Sequence, residues 1–92
     1  MTDNRFNPPN GGFVPHMGIT LVGEGDGWLE ARMEIEQHHL RSGASALHAA
    51  SIVALADSVC GFAAGNSLPE GAKGYTTVEL KSNFVGTVNS GA

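Results

Sequence analysis

Residues 46–64, ALHAASIVALADSVCGFAA, form a run of 19 small and apolar residues that carries one formal charge, Asp57. Alanine and leucine favour helix, proline is absent, Ser45 stands where an N-cap belongs, and Gly65 and Asn66 supply a stop. Apolar residues run round nearly the whole circumference, so the expectation is a helix covered on most sides and not a surface helix. A carboxylate inside such a helix is costly to strip of water. Something must compensate for Asp57, and chemistry is the leading candidate.

The remaining segments say what could cover that helix. Residues 17–23, MGITLVG, are compatible with a strand, and residues 23–27, GEGDG, with a turn. Residues 28–36 alternate cleanly, with Leu29, Ala31, Met33 and Ile35 on one face and Glu30, Arg32, Glu34 and Glu36 on the other. Together they predict a β-hairpin with one wet face. The glycines of GEGDG are followed by a strand-like pattern and not by a helix, which argues against a phosphate-binding loop. Residues 75–85, YTTVELKSNFV, predict a long strand with Thr76, Val78, Leu80, Ser82 and Phe84 on one face and Thr77, Glu79, Lys81 and Asn83 on the other. Hairpin, helix and strand imply an α+β arrangement in one domain, residues 1–92, led in by a polar, flexible stretch at 1–12. Three strands leave open edges, and open edges invite pairing with another chain.

Composition narrows the function classes. The net charge is −4, and the five cationic residues, Arg5, Arg32, Arg41, Lys73 and Lys81, are scattered, so no basic stripe exists to bind a nucleic acid. The apolar run holds Asp57 and His48 and lacks basic or aromatic anchors, which argues against a membrane span. Residues 1–12 have no secretory-signal pattern. The single cysteine, Cys60, forbids an intrachain disulfide and reads as a small buried hydrophobe, in keeping with a cytoplasmic location. His38, His39 and His48 are not spaced as metal ligands, no metal is expected, and no cofactor motif is present.

Chemistry concentrates at the helix. Its first amides have no internal partners and lie at the positive end of the helix dipole, so those near His48 and Ala49 suit a developing oxyanion, while Asp57 suits a base or nucleophile. Nine residues from His48 to Asp57 correspond to about 13.5 Å along the axis and about 900° of rotation, which separates the two on one chain. Two such helices packed antiparallel across a two-fold axis would bring Asp57 of one subunit toward the helix start of the other.

The segments LHAASIVALADS and GYTTVELKSNFVGT resemble the signature of hotdog-fold acyl-CoA thioesterases of the phenylacetate-pathway (PaaI-like) group, over residues 46–87. The resemblance implies a long central helix wrapped by an antiparallel sheet, homodimers or homotetramers, and hydrolysis of an acyl-CoA substrate at subunit interfaces. It implies Asp57 as base or nucleophile, the Ala49 amide as oxyanion donor, His48 as the residue shaping that turn, and Thr76 or Thr77 as an assisting hydroxyl. Three departures stand out. Ala49 and Ala50 replace the family's glycines, Ser42 stands where an Asn or Gln is common, and the family continues into further strands beyond residue 92. The last departure frames an alternative, a truncated, non-catalytic hotdog chain that binds or assembles.

Overall fold

The computed structural model describes residues 5–92. Its hairpin follows from the alternation. Strands β1 (Ile19–Gly25) and β2 (Trp28–Met33) pair antiparallel, and Gly25 faces Trp28 across a two-residue loop of Asp26 and Gly27. Gly27 takes φ +79°, a left-handed conformation that glycine adopts at no steric cost. Along β2, Leu29 and Ala31 are half-buried and Met33 is buried, whereas Trp28, Glu30 and Arg32 face water.

A bulge breaks the register once. Leu21 pairs with Ala31 and Gly23 with Glu30, so Val22 is an extra residue. The slip brings Glu24 opposite Leu29, on the face that packs against the long helix. There Glu24 accepts two hydrogen bonds from Arg5, at 3.0 and 2.7 Å, and one from Asn66 at 2.9 Å, while Arg5 also donates to Asn66 Oδ1 at 2.7 Å. A bulge in the hairpin thus clasps the end of the helix.

Helix α1 (Phe13–His16) is a single turn that leads into β1. Helix α2 (Ala49–Gly65) is the long helix that the sequence predicts, and it packs on β2. It starts later than Ser45 and is capped by His48 instead. The cause is a bridge between Leu40 and Leu47, together with a 2.8 Å bond from the Arg41 amide to the Ala46 carbonyl, which hold residues 41–47 in a closed turn. Its end at Gly65, with Asn66 as C-cap, is as predicted.

The buried core is Phe6, Ile19 and Met33, with Leu55 and Phe62 of α2 packed against it. Phe6 comes from the stretch expected to be a loose lead-in, yet its ring meets Phe62 at 4.5 Å between centroids. Residues 1–4 of that stretch lie outside the described residues.

Two expectations are corrected. In α2 only Ser51 and Ala54 are fully buried, most other positions are half-buried, and Ile52, Ala56, Cys60 and Ala64 form one exposed stripe, so the helix is covered more shallowly than expected and Cys60 is not a buried hydrophobe. Residues 75–85 form no strand among the described residues. They run beside α2 without a ladder partner, and Val78 and Val85 are 92% and 97% exposed. Strand-like sequence becomes a strand only where backbone partners are offered, and the two-stranded sheet offers none there. What stands is α+β, a two-stranded antiparallel sheet with one long helix.

Because Phe6 links the N-terminal segment, the hairpin and α2, Phe6→Ala should lower stability to unfolding by about 3 kcal/mol, the low end for a buried aromatic. Urea unfolding followed by circular dichroism measures it, and a loss under about 1 kcal/mol would show that Phe6 does not anchor the core.

Candidate functional site

Accounting for the amides at the start of α2 isolates one donor. The His48 N–H donates to the His39 carbonyl at 2.8 Å, the Ala50 N–H to His48 Nδ1 at 2.9 Å, and the Ser51 N–H to the His48 carbonyl at 2.9 Å. Among the described residues the Ala49 N–H has no partner, and Ala49 is half-buried. His48 therefore spends its ring on capping the helix, the service a Ser or Asn side chain gives elsewhere. With Nδ1 accepting, the imidazole proton sits on Nε2.

Asp57 lies two turns further along, half-buried in the wall of an open cleft of about 540 Å³. Its surroundings include Cys60, Gly61, Tyr75, Thr77 and Leu80. The Thr77 hydroxyl donates to Asp57 Oδ1 at 2.6 Å. A carboxylate that was costly to bury is thus left partly in water and given a hydroxyl, with Oδ2 unengaged among the described contacts.

What brings Thr77 to Asp57 is a seat for Tyr75. Gly61 and Gly65 stand one turn apart on the same face as Asp57, and the Tyr75 ring lies over both. A Cβ at Gly61 would lie 3.1 Å from Tyr75 Cε2, and one at Gly65 would lie 3.1 Å from Cε1, so side chains there would lift the ring. Tyr75 and Thr77 are two residues apart and both meet the helix. The face of residues 75–85 that turns inward at this end is therefore the one with Thr77, not the one with Val78. Beyond them the chain passes the helix start, where the Leu47 amide donates to the Val88 carbonyl at 2.8 Å.

Of the residues singled out from sequence, Asp57, Thr76 and Thr77 come together at this cleft. Ala49 and His48 stand at the start of the same helix, whereas Asp57 is at its middle, about 12 Å from Ala49 along the axis at 1.5 Å per residue. Ser42 sits on the exposed turn before the helix and does not line the cleft. Sequence reading missed the Gly61 and Gly65 seat, whose signal was the spacing of four. It also missed His39, which is fully buried with both ring nitrogens bonded, at 2.9 Å to the Glu36 amide and 2.8 Å to the Met17 carbonyl. Among the described residues no helix is long and apolar enough to cross a membrane, and no group of three His, Cys, Asp or Glu could hold a metal ion.

With this geometry in view, the chain can be set beside known proteins. It is 32% identical over 78 residues to a Haemophilus influenzae protein named "Putative esterase". The aligned region is 85% of this chain and 55% of that protein, so the chain spans little more than half of its length. No family model matches the chain, and no solved structure matches it.

The Tyr75 seat yields a prediction of its own. Gly61→Ala should be close to neutral, since about 1 kcal/mol of helix propensity offsets a small shift of the ring. Gly61→Leu should unseat Tyr75 and raise the rate of chymotrypsin cleavage after it by about tenfold, because overpacking costs about 1–3 kcal/mol. Cleavage at the parent rate in Gly61→Leu would mean that the ring is not held there.

Proposed function

We propose that the protein is an acyl-CoA thioesterase with a hotdog-type active site shared between two copies of the chain. The observation that carries this reading is the Asp57 carboxylate, half-buried in an open cleft with one oxygen bonded by Thr77 and the other free. The similarity to a protein named as an esterase supports hydrolysis as the reaction class. The resemblance of residues 47–58 and 74–87 to the PaaI-like group supports a thioester as the bond cleaved.

In this mechanism the free oxygen of Asp57 takes a proton from water as the water oxygen bonds to the thioester carbonyl carbon. The carbonyl π pair moves onto its oxygen, which is held by the unpartnered Ala49 amide of the partner subunit at the positive end of its helix. When the tetrahedral intermediate collapses, the C–S bond breaks, and the CoA thiolate leaves with the proton that Asp57 had taken. Direct attack by Asp57 would instead form an anhydride that water then opens. Thr77 fixes the carboxylate in either course. The partner is needed because Asp57 stands in the middle of the helix, eight residues and about 12 Å along the axis from Ala49.

A second reading, a binding or assembly chain without turnover, is favoured by one observation. Residues 75–85 expose Val78 and Val85 and carry no strand partner, as a surface meant for another chain would.

Release of free CoA from a panel of aryl- and acyl-CoAs separates the two. Asp57→Asn should lower kcat by at least about 10²-fold with the oligomer and fold retained, and Thr77→Val by about tenfold, in the range for loss of a base and of a group that positions it. Turnover by Asp57→Asn at the parent rate would remove Asp57 from the reaction. A parent protein that binds acyl-CoA without cleaving it would establish the second reading.

A further inference from the structure

His39 has no part in the chemistry described so far, yet it is fully buried while its neighbour His38 is exposed. A buried imidazole persists where both ring nitrogens are bonded, and here the bonds run in two directions. Nδ1 accepts from the Glu36 amide at the start of the short 3-10 turn Gln37–His39, which fixes the proton on Nε2, and Nε2 donates to the Met17 carbonyl just before β1. The ring thereby ties its own turn to the entry of the hairpin. Its backbone carbonyl is held as a consequence, and that carbonyl accepts both the His48 N–H at 2.8 Å and the Ser51 hydroxyl at 3.1 Å, the latter also buried.

We propose that His39 is a positioning residue for the oxyanion donor, its ring fixing the one carbonyl that holds the first turn of α2 and so the direction of the Ala49 N–H. The bonding is sequential. Ring to Met17 and Glu36 sets the His39 carbonyl, the carbonyl sets His48 and Ser51, and His48 caps Ala50, which leaves Ala49 as the donor without a partner. The effect on turnover rests on the thioesterase reading above, whereas the effect on the helix start does not.

Two variants at His39 separate bonding from packing. His39→Gln can still accept from Glu36 and donate to Met17, whereas His39→Leu can do neither. The readouts are amide exchange at His48 and Ser51 by NMR, and kcat and KM for thioester hydrolysis. His39→Leu should speed His48 exchange by about tenfold and lower kcat by about tenfold with KM within about twofold, and His39→Gln should restore most of both. Parent-like exchange and kcat in His39→Leu, or a loss in His39→Gln as deep as in His39→Leu, would overturn the proposal. If His39→Leu does not fold, Ser51→Ala takes its place by removing one of the two bonds to the same carbonyl. With the ring bonds intact, it should speed His48 exchange by no more than about threefold, and the proposal then falls if His39→Gln, which keeps both ring bonds, speeds His48 exchange by about tenfold or more. Should the parent protein hydrolyse no thioester, the thioesterase reading falls by itself, and the exchange data still decide what His39 holds.

Discussion

A buried imidazole bonded at both nitrogens governs how the two halves of this molecule meet. The hairpin and α2 could pack through apolar contacts alone, since Ile19, Met33, Leu55 and Phe62 supply them. Apolar contact is not directional, however, and does not decide where a helix begins. His39 adds direction. It bonds the backbone just ahead of β1 through its ring and the backbone just ahead of α2 through its carbonyl. The helix start is therefore registered against the hairpin by hydrogen bonds around a buried ring, and the Ser51 hydroxyl, buried with it, would cost about 1–3 kcal/mol if left without its partner.

The opposite end of the helix is registered differently. Glu24 reaches Arg5 and Asn66 only because Val22 is an extra residue in β1. That clasp is partly exposed and contributes little by itself, about 0–1 kcal/mol for an ion pair in water. Its value is positional, since it holds the last turn of α2 over the hairpin. Between the two fixed ends the helix offers Asp57, Gly61 and Gly65 on a face that the sheet does not cover, and residues 75–77 settle there. Small residues make the seat, and the carboxylate supplies the acceptor.

Periodicity made the hairpin, the long helix and its end at Gly65 legible in the sequence, because each depends on local pattern. The start of the helix was not legible at Ser45, since the Leu40 to Leu47 bridge that delays it joins residues across a turn. Nor was the fate of residues 75–85, whose alternation is a fair strand signal but whose strand character depends on a backbone partner. Asp57 stood out as a lone charge, and its partner Thr77 was one of two adjacent threonines. Which of the two turns inward was decided by Tyr75, two residues earlier, and by two glycines that carry no chemistry of their own. His39 was hidden for a similar reason. Two adjacent histidines look alike in sequence, and only packing makes one a buried tie and leaves the other in water.

The separation between Asp57 and Ala49 sets a geometric condition on any shared site. A two-fold axis that superposes the level of Asp57 on the level of Ala49 in a second helix must cross α2 midway between them, at Val53. The surface at that level is informative. Ile52 is 40% exposed and Val53 half-buried, whereas Ala54, on the next position round the helix, is turned into the core. A lone exposed isoleucine on a helix needs no explanation. Ala49 and Asp57 each lie four residues and about 40° round the helix from Val53, so a shared site would need the axis on the Val53 face, whereas Ile52 points about 140° away from Asp57.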